Sequence, residues 1–313
     1  MLKRLFFPVI TFAFLFVFQP VESAAQLTQK PYPNSKFDTI DGIMVHYRVW
    51  NEDVDQPTRK ILFIHGFAGS TFCFRYLYDT LETLGYKVVA IDLPGAGYSD
   101  RTLDFNQSHS SRARFLWKFL SALEPEDTTG WRIVGHSMGG GAAEAMAIME
   151  PERIDKLVLI AGTIFRKSNN MTGTVGFMIR QKKIKKFMVA YADRNVITYK
   201  RFSRMLKSAY KRKPDSTEVM GYLTPLEIEG SAAALINVYV NNKEIEKLDV
   251  RNLTEVPVMA IWGTKDSWVS LSTSRIYLSA FPDLELVKIK GAGHLTMETN
   301  LEEFLPPFLR FLE

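Results

Sequence analysis

The chain has 313 residues, of which 46% are hydrophobic and 23% charged, and its net charge is +5. This is the composition of an ordinary globular protein with a sizeable core, either one domain with an insertion or two domains. A single cysteine, Cys73, excludes an intramolecular disulfide, and the five histidines form no Cys/His cluster with zinc-ligand spacing.

The first 25 residues have the pattern of an export signal. The basic residues Lys3 and Arg4 precede an uncharged, mostly apolar stretch from Leu5 to Phe18, and small residues follow at 23–25. The apolar stretch has 14 residues, whereas a transmembrane helix needs about 20. We therefore expect a cleaved signal peptide and a periplasmic or secreted protein, with an uncleaved membrane anchor as the alternative. Residues 26–35 are expected to form a polar leader.

Strands and helices then alternate along the chain. A hairpin is predicted at Phe37–Ile40 and Ile43–Trp50 because Asp41-Gly42 favours a tight turn. Strands are predicted at 60–64, 87–91, 131–134 and 156–160, with helices at about 72–84, 111–123 and 139–149. This spacing predicts an α/β fold with a mostly parallel sheet, helices on both faces, and an active site at the carboxyl ends of the strands.

A basic segment interrupts this alternation. Residues 163–218 carry 15 Lys and Arg and three acidic residues (net +12), whereas the rest carries 24 Lys and Arg and 31 acidic residues (net −7). Its patterning is helical, so residues 163–230 are predicted to form an inserted cap. The core would comprise 36–162 and 231–313, with later elements at about 231–240 (helix), 256–261 (strand), 272–280 (helix), 285–289 (strand) and a C-terminal helix.

The motif Gly135-His136-Ser137-Met138-Gly139 lies between a predicted strand and a predicted helix. In this context Gly-x-Ser-x-Gly is typical of a nucleophilic serine on a strained turn, whose flanking glycines avoid the neighbouring strand and helix. The turn would place Ser137 at a helix N-terminus, where developing negative charge is favoured. The alternative without function is a glycine-rich turn with a solvated serine.

Two further candidates follow predicted strands. His294 would take the proton of Ser137 and return it to the leaving group, and Asp266 would orient His294. Asp283 is a weaker candidate for the acid. The backbone N–H groups of Phe67 and Met138 would form the oxyanion hole.

These motifs occur in the chain order Ser137, Asp266, His294, accompanied by His65-Gly66-Phe67 and by 92–99. The pattern resembles the α/β-hydrolase superfamily, in its branch of lid-bearing serine esterases, monoacylglycerol lipases and their lactonase and carbon–carbon hydrolase relatives. The resemblance implies an α/β-hydrolase fold with an inserted helical cap, and ester hydrolysis through an acyl-enzyme on Ser137. It implies no cofactor and no metal. Epoxide hydrolases and haloalkane dehalogenases carry an aspartate at the nucleophile position, so they are excluded.

The other polar residues near these motifs are expected to have structural roles. His65 would hold the oxyanion loop, and His136 would fix a loop by packing. Asp92 is expected at a strand end and His109 in a solvated loop, and Cys73 is expected on a helix without reactivity.

Several alternatives remain at the level of substrate and partner. Small acyl esters or monoacylglycerol-like lipids are the first expectation, but a lactonase, carbon–carbon hydrolase, perhydrolase or acyltransferase would use the same three residues. A catalytically silent lipid-docking protein is the alternative that is not an enzyme. The basic cap is either a solvated lid or a surface for an anionic membrane, with an acidic protein or an anionic substrate as further partners. Nucleic acid is not expected as a partner.

Overall fold

The structure is a computed structural model that describes residues 30–52, 59–125, 129–162, 181–242, 244, 248–249, 253, 256–272 and 284–313. The predicted export signal, residues 163–180 of the predicted cap, Asp283 and most of the helix predicted at 272–280 lie outside the described residues. Within those described ranges, no helix is both long enough and apolar enough to span a membrane.

Eight strands form a single sheet. They are β1 Ser35–Ile40, β2 Ile43–Trp50, β3 Lys60–Ile64, β4 Lys87–Ile91, β5 Trp131–His136, β6 Ile154–Ile160, β7 Val258–Gly263 and β8 Glu285–Ile289. Their order is β1-β2-β4-β3-β5-β6-β7-β8. The β1–β2 and β2–β4 pairs are antiparallel and the other pairs are parallel, which confirms the mostly parallel sheet.

The described α-helices lie between the strands and after the last of them in the chain. They are α1 Tyr78–Thr83, α2 His109–Leu123, α3 Met138–Met149, α4 Lys182–Tyr191, α5 Tyr199–Tyr210, α6 Ser216–Leu226, α7 Ser231–Val240, α8 Thr296–Thr299 and α9 Leu301–Leu312. Short 3-10 helices span Thr71–Phe74 and Pro151–Arg153, and a π-helical turn spans Ala192–Val196.

Hydrophobic cores lie on both faces of the sheet, as predicted. All five residues of β3 are buried, and successive side chains of a strand point to opposite faces. Leu62 and Ile64 belong to the core formed with α2 and α3. Ile61 and Phe63 belong to the core formed with α1 and α9. Burial on both faces explains why the parallel strands are continuous apolar runs rather than alternating ones.

The helix predicted over 72–84 is confirmed only in its second half, because the chain forms the 3-10 helix Thr71–Phe74 and then α1 at Tyr78–Thr83. Arg75 lies at the break, where its Nη1 donates hydrogen bonds to Phe72 O (3.2 Å) and to Glu298 Oε2 (2.6 Å). A contact with a residue more than 200 positions away therefore accompanies the break, and local periodicity carries no sign of it.

His109 is also placed differently from the prediction of a solvated loop. It is the first residue of α2 and is partly buried. A Cβ atom built on Gly141 of α3 would lie 2.3 Å from its ring, so the ring packs against the backbone of that helix. Burial, and then the charge of Arg112, lower the pKa of His109 to about 4.

The polar leader predicted at 26–35 overlaps the fold at its end. Ser35 is the first residue of β1 and is fully buried. Its Oγ lies 2.7 Å from His46 Nε2, and the guanidinium of Arg48 lies 4.0 Å from the centre of the Tyr32 ring. Tyr32 and Ser35 therefore pack on the sheet.

In the described part of the predicted cap, 181–230, the regular elements are helical. Helix α5 buries one face, formed by Phe202, Leu206, Ala209 and Tyr210. Its exposed residues include Lys200, Arg201, Arg204 and Lys207. This division is typical of a helix that packs on a core and presents its charges to solvent.

Candidate active site

Ser137 occupies the turn between β5 and α3. Its backbone has φ 52° and ψ −119°, a strained conformation for a residue with a side chain. Ser137 N donates to Ile160 O (2.9 Å), and Gly140 N donates to Ser137 O (3.0 Å). The strand therefore turns into the helix at one residue, as the motif predicts.

The two glycines of the motif are required by close backbone contacts. A Cβ atom on Gly135 would lie 2.5 Å from Gly139 O, and one on Gly139 would lie 2.2 Å from Ile64 O. Both distances are below the contact limit for carbon and oxygen, and both clashes involve backbone atoms. These two glycines therefore let α3 approach β5 and β3 closely. Ser137 lies at the carboxyl end of β5.

His294 and Asp266 form a buried pair. His294 Nδ1 lies 2.7 Å from Asp266 Oδ2, and the two side chains are 3% and 0% exposed. Asp266 Oδ1 accepts the N–H groups of Trp268 (2.8 Å) and Val269 (3.0 Å). Because Nδ1–H donates to the carboxylate, Nε2 of the neutral ring is left to accept a proton.

Ser137 and His294 line the same cavity, whose volume is about 200 Å³. Its other lining residues are Gly66, Phe67, Ala68, Gly69, Cys73, His136, Phe202, Met205, Leu206, Tyr222, Tyr239, Trp268, Val269 and Leu295. Helices α5, α6 and α7 supply five of these. Of the described residues, no Asp, Glu, Lys or Arg lines this cavity. It is an apolar pocket that ends at a serine and a histidine.

The loop of Gly66 and Phe67 lies beside Ser137. A Cβ atom on Gly66 would be 2.9 Å from Ser137 Cβ, and Phe67 lines the cavity. Met138 is the first residue of α3, so its N–H group has no acceptor within the helix. The two backbone groups predicted for the oxyanion hole therefore lie in segments adjacent to Ser137.

His65 holds this loop, as predicted. Its Nδ1–H donates to Gly66 O (2.7 Å), and its Nε2 accepts the N–H of Leu93 (3.0 Å). Burial lowers the pKa of His65, and the acceptor role of Nε2 requires a neutral ring. His65 thus links the loop after β3 to the loop after β4.

His136 contacts the backbone of His294. Its Nε2 donates to His294 O (3.1 Å), and the two ring centres are 4.8 Å apart. Burial, and then the charge of His294, lower the pKa of His136 well below its usual value. A neutral His136 can keep the backbone of His294 in place without adding a positive charge beside it.

Asp92 lies outside the cavity lining and joins three segments. Its Oδ2 accepts from His46 Nδ1 (2.7 Å) and Tyr98 N (2.8 Å), and its Oδ1 accepts from Thr71 N (2.6 Å). Burial by itself would raise the pKa of Asp92, but His46 and the other donors lower it overall. The expected structural role agrees with these contacts.

Two features near the cavity have no counterpart among the predicted residues. The Trp268 ring lies 5.3 Å from the His294 ring, at an angle of 30°. Glu298 is buried and bonded to Arg75, Tyr210 and Tyr222. The sequence gives one sign of each: Trp268 lies two residues after Asp266, and Glu298 lies four residues after His294.

Cys73 lies in the 3-10 helix Thr71–Phe74 and lines the cavity. Burial raises the pKa of its thiol well above the usual value, so the thiol is protonated and unreactive at neutral pH. Across the described ranges, no group of three or more His, Cys, Asp and Glu side chains is arranged to hold a metal ion.

Comparison with known proteins gives consistent matches. The chain is 26% identical over 268 residues to an uncharacterized hydrolase, YugF, of Bacillus subtilis (strain 168), covering 84% of this chain and 92% of that protein. It is 25% identical over 284 residues to a 2-hydroxy-6-oxononadienedioate/2-hydroxy-6-oxononatrienedioate hydrolase of Paraburkholderia phymatum, covering 86% and 91%.

A crystal structure of a serine hydrolase involved in carbazole degradation superposes with a TM-score of 0.68 at 20% identity, covering 89% of this chain and 98% of the other. A family model described as alpha/beta hydrolase fold matches residues 60–301, well over half of the chain. Sheet order, strained serine turn and family match agree, and the chain belongs to the alpha/beta hydrolase fold family.

Proposed function

We propose that the protein is an exported serine hydrolase that cleaves carboxylic esters through an acyl-enzyme on Ser137. The observation that carries this proposal is one apolar cavity that contains both the strained Ser137 and His294, with Asp266 bonded to the far nitrogen of that histidine. A serine hydroxyl needs such a base to act as a nucleophile at neutral pH.

The reaction has two stages in this proposal. Ser137 Oγ attacks the ester carbonyl carbon while His294 Nε2 takes its proton, and the N–H groups of Met138 and Phe67 bind the developing oxyanion. The C–O bond then breaks as His294 protonates the departing alcohol. Water, deprotonated by His294, attacks the acyl-enzyme, which releases the carboxylic acid and restores Ser137. Asp266 stabilises the imidazolium in both stages.

The cavity supports an uncharged acyl group as the substrate part that binds there. Its walls are aromatic and aliphatic, and none of the described residues lining it is Lys, Arg, Asp or Glu. The hydrolase of Paraburkholderia phymatum is named for a dioate, a dianion at neutral pH, which needs cationic partners when buried. The apolar lining therefore favours simple or lipid-like acyl esters over the carbon–carbon hydrolase alternative.

The test is hydrolysis of p-nitrophenyl esters of increasing acyl length by protein expressed from Met1. We expect turnover, an optimum at short or medium chains, and loss of at least about 1,000-fold in kcat for Ser137→Ala. A fluorophosphonate should label the wild-type protein and not the variant. Ser203→Ala, on α5, is the matched control and should be labelled normally.

Absence of both labelling and ester turnover in the wild-type protein would contradict the proposal and leave the silent docking protein. Labelling without ester turnover would instead favour the lactonase, carbon–carbon hydrolase, perhydrolase or acyltransferase alternatives. The intact mass of the exported protein tests whether residues 1–25 are removed.

An anionic membrane surface is the proposed partner of the cap. On α4, Phe187 is 71% exposed and Tyr191 is 47% exposed, and their rings stack 6.5 Å apart. The nearby exposed cations are Lys183, Lys186, Arg194, Lys200, Arg201, Arg204 and Lys207. Among the ion pairs between described residues, none involves these seven. Exposed aromatics beside unpaired cations are typical of an interfacial helix.

Sedimentation with lipid vesicles tests this partner. We expect binding to vesicles containing phosphatidylglycerol, weak binding to pure phosphatidylcholine, and loss of binding at high salt. Because each basic residue contributes about 1 kcal/mol, neutralising Lys200, Arg201 and Arg204 together to Gln should weaken binding about 100-fold. Equal sedimentation with both vesicle types would contradict the charge argument, and none with either would favour a solvated lid.

A further inference from the structure

The C-terminal end of α5 and its capping residue Lys211 contact both loops that carry the acid–base pair. Ala209 O accepts the backbone N–H of His294 (2.7 Å). Ser208 Oγ accepts from the indole of Trp268 (3.3 Å), and Lys211 Nζ donates to Ser267 Oγ (2.6 Å). A helix of the predicted cap therefore holds the loop after Asp266 and the loop of His294 at the same time.

The contact with His294 is close and well suited to a helix end. A Cβ atom on Gly293 would lie 1.9 Å from Ala209 O, so glycine is needed for the two backbones to meet. Ala209 O is one of the last four carbonyl groups of α5, and these groups have no N–H donor within the helix. The C-terminal end of a helix also favours positive charge, and His294 becomes positive during proton transfer.

A buried polar cluster fixes the position of this helix end. The carboxylate of Glu298, four residues after His294, accepts from Tyr210 Oη (2.5 Å), from Arg75 Nη1 (2.6 Å) and from Tyr222 Oη. These donors come from α5, from the break before α1 and from α6. A buried carboxylate is stable only while its donors remain in place. The residue after Ala209 is therefore tied to the element that follows His294.

We propose that Tyr210 and Glu298 are positioning residues, which act through the hydrogen bond from His294 N to Ala209 O to align His294 with Ser137. In this role α5 helps to position the proton acceptor, in addition to lining the pocket. The inference rests on the proposed function of His294 as the base.

A purely structural role of the cluster predicts a different kinetic result. Tyr222 also lines the cavity, so disturbing the cluster without moving His294 would change acyl binding only. In that case KM would change for long acyl chains, and kcat for an acetyl ester would remain. Misalignment of His294 instead lowers kcat by the same factor for short and long esters, because both use the same proton transfer.

The experiment compares Tyr210→Phe with Tyr199→Phe in the full chain. Both changes remove one hydroxyl from α5, but Tyr199 is 47% exposed and lies outside the cluster. We expect Tyr210→Phe to lower kcat for p-nitrophenyl acetate and p-nitrophenyl octanoate equally, by about 10- to 100-fold, the loss typical of a small misplacement of a reacting group. Fluorophosphonate labelling of Ser137 should slow by a similar factor, and Tyr199→Phe should match the wild type.

Wild-type rates in a folded Tyr210→Phe protein, or a loss confined to KM for the octanoate, would overturn the inference. Thermal unfolding establishes whether the variant is folded, and Glu298→Gln, which keeps the side-chain shape, supplies the same comparison if it is not. A wild-type protein that neither cleaves esters nor reacts with the fluorophosphonate marks failure of the proposed function, and the inference falls with it.

Discussion

Asp92 joins β2, the loop after β3 and the loop after β4 through its contacts with His46, Thr71 and Tyr98. Asp92→Asn should lower the free energy of unfolding by about 1–3 kcal/mol at pH 7, because it replaces a buried carboxylate that accepts three hydrogen bonds by an amide whose nitrogen cannot accept them. Urea denaturation measures the loss. The control is Asp41→Asn, whose exposed pair with Lys118 (2.6 Å) should be worth less than about 1 kcal/mol.

The stabilisation by Asp92 should also depend on pH. The pKa of Asp92 is lowered in the folded protein, so its stabilisation is present above the unfolded-state pKa of about 3.9 and is lost as the pH falls through the folded pKa. The difference in stability between wild type and Asp92→Asn should therefore shrink below about pH 4. A constant difference from pH 7 to pH 3 would contradict this assignment.

The residues that the sequence indicated are those whose chemistry depends on a local pattern. Ser137 is marked by two glycines, and Asp266 and His294 each follow a strand by a few residues. Trp268 and Glu298 contact α5 through Ser208 and Tyr210, which lie 60 and 88 positions away from them in the chain. Such pairs leave no local signal, because the chain must fold before the partners meet.

At the scale of elements, the approach of α3 to the sheet controls the serine turn. Gly139→Ala would place a Cβ atom 2.2 Å from Ile64 O and 2.5 Å from His65 O. These are backbone atoms of β3 and its loop, so α3 must move away. We expect a loss of about 3 kcal/mol in the free energy of unfolding, the upper end of the usual cost of overpacking, together with loss of ester hydrolysis. Urea denaturation and p-nitrophenyl ester turnover measure the two effects.

Gly42→Ala is the control for this change. Gly42 lies in the hairpin turn with φ +77°, and a Cβ atom there would have no neighbour within 4 Å. Only backbone strain of about 1–2 kcal/mol is expected, with activity retained. Similar losses in both variants would mean that the packing of α3 does not constrain Ser137.

Strands and helices could be predicted where the pattern of apolar residues along the chain follows their burial. The strands at 60–64, 87–91 and 285–289 have the predicted bounds. The first two are buried along their whole length, and a continuous apolar run is a direct consequence of burial on both faces of a sheet. In the segment 72–84 the predicted helix is continuous only over α1, and Arg75, at the break before it, is bonded to Glu298. Hydrophobic periodicity indicates which face of a helix is buried, but it carries no information on contacts with residues more than 200 positions away.

At the scale of the whole molecule, three histidines with lowered pKa values are expected to make stability depend on pH. Burial lowers the pKa values of His65, His109 and His136 in the folded state, to about 4 for His109. The unfolded chain takes up protons on these rings below about pH 6.5. It then binds more protons than the folded chain, so the free energy of unfolding falls as the pH falls from about 6.5.

His109→Gln tests this dependence away from the proposed active site, because glutamine keeps a polar side chain that does not titrate. Between pH 7 and pH 5, we expect the wild type to lose about 1–2 kcal/mol more than His109→Gln, in proportion to the pKa shift. Urea denaturation at both pH values measures the difference. Lys118→Gln, a change at an exposed position of the same helix, should follow the wild type. Equal losses in wild type and His109→Gln would mean that His109 is already able to accept a proton in the folded protein.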